Sequence, residues 1–271
     1  MSSLPALYDT EDIPDKVYLE KTKILNNAIS DIGLGRYHYC LFALAGMGWF
    51  ADSVWPLITG LILVPTVAEF KFNGPFLSLA ANVGLFVGAL VWGIGSDIWG
   101  RRWCFNLTLL IAGVFGTAAG GSGSFVALAG LLAVVGVGVG GNLPVDSALF
   151  LDLVPPRHQY LLTVMSIFWS LGQLLMSLLA WPLIANFSCA DTICARKDNM
   201  GWRYLVFILG ALTLIFCLGR FLVFNLFESP RFLIGIGQDK EAVDVIHRMA
   251  AFNSTTTNIT IEDLKKCGET A

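Results

Sequence analysis

Six stretches of the chain are apolar over a length that can cross a bilayer, which takes about 20 largely apolar residues. They are 38–63, 75–96, 103–121, 124–151, 160–185 and 203–227. Turn-rich or charged segments separate them, such as KFNGP at 71–75, GSGS at 121–124, VPPRHQ at 154–159 and SCADTICARKDNMGW at 188–202. The period-two alternation of barrel strands is missing, so the pattern predicts an all-α membrane protein with a six-helix bundle over 38–227. Before it lies a polar segment, 1–37, without the apolar core of a signal peptide. After it, 228–271 is polar again. Within that tail Ala242, Val245, Ile246 and Met249 recur at helical spacing and predict a short amphipathic helix over 237–252. No second apolar block follows.

Composition agrees with the pattern. The chain is 55% hydrophobic and 14% charged, and its mean hydropathy is +0.68. Its net charge of −3 argues against nucleic acid as a partner. His38, His158 and His247 lie far apart without metal-ligand spacing, and no nucleophile-plus-base set or phosphate loop is visible. Neither an enzyme nor a metal or cofactor protein is expected. Lys and Arg then orient the bundle. With the N-terminus in the cytoplasm, Arg36, Arg101, Arg102, Arg157 and Arg231 all flank spans on the inner side, while Lys71, Arg196, Lys197 and Arg203 are outside. The expected address is the plasma membrane or a vesicle or vacuole membrane. On this topology Asn186, in an Asn-Phe-Ser sequon, is an outer glycosylation candidate, and Cys189 and Cys194 share a loop in which they could bridge.

Polar residues inside the apolar stretches are the candidates for chemistry, because ionised groups are costly there. The first stretch carries Asp52 within GMGWFADSVWP, where a carboxyl could take up and release a proton. The fourth carries GVGVGGNLPVDSALFLDLVPPR. Its glycines make a smooth packing face, Pro144 can kink the helix, and Asn142 and Asp146 lie four residues apart on one side. Those glycines also match G-x-G-x-x-G, but that fingerprint needs a strand before it, so a dinucleotide site is rejected. Trp169 and Gln173 of the fifth stretch, also four apart, could line a solute path or join helices. Arg220, about two turns from the end of the sixth, is expected to snorkel to the headgroups.

Three clusters mark the expected inner surface. GIGSDIWGRR (93–102) places Gly93 and Gly100 for close backbone approach, Asp97 at the membrane edge, and Arg101 and Arg102 after it. Asp152 and Arg157 close the fourth stretch, and Glu228 and Arg231 flank a Ser-Pro turn in FESPRFL after the sixth. Together they could form one charge network that breaks and reforms as the bundle rocks.

GIGSDIWGRR, GVGVGGNLPV and FESPRFL together resemble the sugar-porter-type branch of the major facilitator superfamily. GMGWFADSVW and the stretch 201–250 are most similar to its synaptic-vesicle-related and organic-ion or phosphate transporters. The resemblance spans roughly 36–252. It implies one six-helix half of a twelve-helix fold that works by alternating access, with solute bound between the halves. It also implies a gating loop at Asp97, Gly100, Arg101 and Arg102, and a helix 1 acid at Asp52 of the kind some proton-coupled relatives use. In relatives the acid of this loop helps hold the two halves together; here Asp97 is expected to bond toward Arg157, with its latch to the other half needing another chain. One departure stands out: relatives usually carry an arginine early in helix 4, where this chain reads ALAGLLAVVG.

The resulting expectation is the N-terminal half of a transporter for an organic ion, a sugar or a phosphate-like solute, with protons as a candidate co-substrate. Its partners would be the lipid bilayer and a missing C-terminal half or a second copy of the chain. The alternatives are a non-transporting six-helix protein that dimerises as a receptor or regulatory subunit, and an inactive truncated product.

Overall fold

The structure, a computed structural model, describes residues 14–189, 196–222 and 226–268. Six of its helical segments are long and apolar enough to span a membrane. Helix α1 (Pro14–Ile32) precedes them. The first span is α2 (Arg36–Leu61), continued after a joint at Ile62 by α3 (Leu63–Phe70). Then come α4 (Pro75–Trp99), α5 (Arg101–Gly120) and α6 (Phe125–Leu153). A 3-10 turn, the short α7 (Leu161–Val164) and α8 (Ser166–Phe187) make the fifth span, and α9 (Gly201–Leu222) the sixth. Three short helices follow: α10 (Pro230–Gly235), α11 (Asp239–Phe252) and α12 (Ile261–Lys265).

Local sequence explains several of the boundaries. Pro75 opens α4, where its missing N–H costs no helical bond. The Ser124 hydroxyl accepts from the Ala127 amide at 3.3 Å and caps α6. Between α4 and α5 the connection is Gly100 alone, at φ +94°, a conformation that a residue with a side chain rarely adopts. The first span ends at Leu61, near the expected limit at 63, and α3 follows it to Phe70, with the Glu69 carboxylate paired to Arg203. The sixth stops at Leu222 among the described residues, short of 227, and Leu226 and Phe227 lie outside any helix.

Packing is set by small residues. Helix α6 lies between α4 and α5, and α2 packs on α8 and α6. A Cβ added at Gly84 or Gly88 of α4 would collide with the backbone of Ala133 or Val137 on α6. A Cβ at Gly136 or Gly140 would meet the α4 backbone in return. Without side chains between them the two helices approach by backbone contact, the small-residue mode of membrane helix packing. The Trp92 indole spans the same seam and donates to the Val137 carbonyl at 2.8 Å.

The described parts of the polar flanks are largely helical. Helix α1 lays Leu25, Ala28, Ile29 and Ile32 against α10 and α11, in the same core as Leu233, Ile246 and Met249. Lys21 is buried there and donates to Asp239 at 2.7 Å. The two terminal segments therefore form one helical cap over one end of the bundle.

Candidate functional site

Three polar clusters lie along the bundle. The first, at its basic end, is built around Asp152, whose side chain is 5% exposed at the end of α6. Its carboxylate accepts from the Arg101 guanidinium at the start of α5, from Arg231 at 3.4 Å, and from the Ser229 hydroxyl at 2.5 Å. Arg231 also donates to Asn26 of α1 at 2.9 Å, which ties the cap into the cluster. Glu228 accepts from the backbone amides of Arg101 at 2.9 Å and Arg102 at 3.2 Å. It caps the N-terminus of α5, where free amides and the helix dipole favour an anion.

Of the charged residues expected here, Arg101, Asp152, Glu228 and Arg231 come together, with different wiring, and Arg157 stays outside. Asp152 does not pair with Arg157, because a Pro155–Pro156 turn carries Arg157 to the surface while Arg101 and Arg231 occupy the carboxylate. Glu228 turns to the α5 amides and not to Arg231. Asp97 does not reach Arg157; its side chain is 70% exposed and contacts Arg101 one turn on at 3.4 Å. Gly93 serves no close approach among the described residues, since a Cβ there would meet nothing of them within 4 Å.

The second cluster is buried where α2, α6 and α9 meet. Asp52, Asn142, Asp146 and Arg220 are each at most 4% exposed. Asn142 donates to Asp52 at 3.0 Å, and Arg220 to Asp146 at 2.6 Å. Arg220 does not snorkel. Its guanidinium also donates to the carbonyls of Leu44 at 3.1 Å and Phe105 at 2.5 Å, and lies 3.5 Å from the centre of the Phe105 ring. A charge with this many internal partners gains nothing by reaching for headgroups. Gly48 makes room for the pair, as a Cβ there would run into both the Asp146 carboxylate and Arg220.

Trp169 is half-buried and Gln173 exposed on α8, so neither joins this cluster; the neighbouring Gly172 is the residue that meets α2, at Ser53. Asn186 is exposed in the last turn of α8. Cys189 is disulfide-bonded, and Cys194 lies outside the described residues.

The third cluster, at the opposite end, was not anticipated. Glu69 accepts from Arg203 at 2.5 Å, and from Asn199 and the Trp202 indole at 3.0 Å each. Arg203 also donates to the carbonyls of Gly120 and Ser122. The signal available in the sequence was one carboxylate inside the apolar run LVPTVAEF, with an arginine opening the sixth span.

Residues 74–266 match the model of the sugar (and other) transporter family. The chain belongs to that family. It is 61% identical over 95% of its length to the MFS siderochrome iron transporter 1 of Ceriporiopsis subvermispora, of which it covers 50%. It is 47% identical over 95% of its length to an uncharacterized MFS-type transporter of Schizosaccharomyces pombe, of which it covers 48%. The chain thus spans about half the length of the curated relatives it matches. Its fold is similar to that of the proton:xylose symporter XylE of E. coli, with a TM-score of 0.68 and 17% identity over 80% of this chain and 50% of that one. A six-helix unit of a major facilitator is therefore the architecture, and this transporter family member is a multi-pass membrane protein.

Proposed function

We propose that the family member serves as one half of a solute transporter working by alternating access, paired with a second six-helix unit from the same protein or another copy. The observation that carries this reading is the Asp152 cluster. It joins the ends of α5 and α6 and the segment after α9 through three donors on one carboxylate, and reaches helix α1 through the Arg231–Asn26 bond. Such a clamp can exchange partners as one end of the bundle opens. On the charge rule that end faces the cytoplasm. A receptor or regulatory role has no comparable support, because it gives the network nothing to gate.

The substrate we infer is a small organic solute, with organic ions and iron chelates first, since the relative at 61% identity is named for siderochrome iron. Proton coupling through Asp52 is part of the same reading. The test is uptake into proteoliposomes by the complete protein that carries this chain. The panel would hold a ferric siderophore, organic cations and anions, phosphate and xylose, with and without an imposed proton gradient. Uptake of one class, accelerated by the gradient and lost in Asp152→Asn, is expected. No uptake of any class, or uptake indifferent to both Asp152→Asn and Asp52→Asn, would overturn it.

A further inference from the structure

The cap over the basic end is fastened in two separate places, with a glycine joint between them. Helix α11 holds the start of the first span: Asn253 accepts from the Tyr37 amide at 2.9 Å, and its side chain fills the space that a Cβ at Gly35 would need. Helix α1 is fastened elsewhere. Its buried stripe rests on α10 and α11, and Lys21 reaches Asp239 at the start of α11. Lys16, Lys23 and Asn27 stay exposed on its other side. Between Ile32 and Arg36 the chain leaves the helix, and Gly33 stands at φ +69°. A Cβ added there would meet nothing among the described residues within 4 Å. A left-handed glycine in open space can turn without collision. Helix α1 can therefore swing while α2 keeps its own hold on α11.

The point where α1 meets the Asp152 cluster is Asn26. Its side-chain oxygen accepts from one terminal nitrogen of Arg231 at 2.9 Å, while the other lies 3.4 Å from Asp152. Arg231 Nε is buried without a partner among the described residues. The shorter bond is thus the one to α1, and the bond to Asp152 is long for a hydrogen bond. Helix α10, which carries Arg231, has six residues and is too short to be stable by itself. Asn26 in turn keeps its place only while its neighbours Leu25 and Ile29 are buried in the cap.

We infer that α1 is a releasable strap on the Asp152 latch. Docked, it holds the Arg231 guanidinium against Asp152 through Asn26; lifted about Gly33, it lets that arginine go. Asn26 is a positioning residue that acts on the carboxylate through Arg231. The strap rests on the transporter reading for what opening accomplishes, and not for whether α1 and Arg231 move together.

The test is made on the complete protein that carries this chain, in detergent and without solute. Docking of α1 is read from thiol labelling of Ala28→Cys, a small change at a buried position, located by peptide mapping. The latch is read from amide exchange over residues 231–235. Lys21→Met, whose ion pair is with Asp239 and not with a latch residue, should speed labelling about tenfold and raise latch exchange with it. Asn26→Leu should raise latch exchange about tenfold through the lost bond to a charged group. Labelling should then stay at the parent's rate, because the stripe and Lys21 remain. Asn26→Asp, which keeps the accepting oxygen, should restore the parent's exchange.

Latch exchange indifferent to both Lys21→Met and Asn26→Leu, or raised equally by Asn26→Leu and Asn26→Asp, overturns the strap whatever the uptake assay reports. The expected labelling and exchange in a protein that moves no solute leave the strap standing and overturn the transporter reading alone.

Discussion

The two ends of the bundle hold charge in opposite ways. At one end Glu69 and Arg203 are 7% and 1% exposed, and both carboxylate oxygens and two guanidinium nitrogens meet fixed partners on α3, the 120–122 turn and α9. At the other, Asp152 accepts from Arg101, Arg231 and Ser229 together, and its two arginines are 19% and 25% exposed. A cluster closed off from water on both sides of its ion pair resists opening. A cluster whose arginines are partly wet can trade those bonds for water, and that suits a part that moves. One end should act as the rivet of the six-helix unit and the other as its latch.

The largest effect should come from the rivet. Arg203→Met leaves Glu69 buried and unpaired, which costs about 3–5 kcal/mol. A thermal-melting series in detergent should place it well below the parent, and a melting point near the parent's would break the comparison. Asp152→Asn should lower stability by about 1–3 kcal/mol, because its arginines can turn to water. Its main effect should fall on uptake. If it melts below Arg203→Met, the latch is the more structural of the two. Glu228→Gln weakens a helix cap and should cost about 0.5–2 kcal/mol, read from amide exchange at Arg101 and Arg102. The smallest effect belongs to Asp97→Asn. An exposed i,i+4 pair contributes about 0.3–0.5 kcal/mol, so the melting point should stay put, and any uptake defect must arise from contacts beyond this chain.

The spans were legible because bilayer thickness sets a length and an apolar run answers it directly; α4, α5 and α6 fall within three residues of expectation at each end. The glycine face of α6 was legible for a similar reason, since a missing side chain has one packing meaning wherever it falls in a span. Partner choice was not. Arg157 and Arg231 look alike beside Asp152 in the sequence, and only the Pro155–Pro156 turn and the placement of α10 decide between them. Arg220 was misjudged because snorkelling is the default for an arginine near a helix end, and nothing local announces Asp146, 74 residues earlier, as its partner. Helix α1 escaped notice for want of an apolar run; its buried stripe becomes meaningful once α10 and α11 supply the opposing surface.

The single-residue joint at Gly100 has a consequence for chemistry imposed from outside. Arg101 and Arg102 spell a dibasic cleavage signal, and in an open loop they would invite trypsin-like proteases. A protease needs several residues in extended form on both sides of the scissile bond. Here the helix ends at Trp99 and restarts at Arg101, with both arginine amides held by Glu228. This dibasic pair should therefore be spared by limited digestion, and a nick there would report that α4 and α5 had come apart.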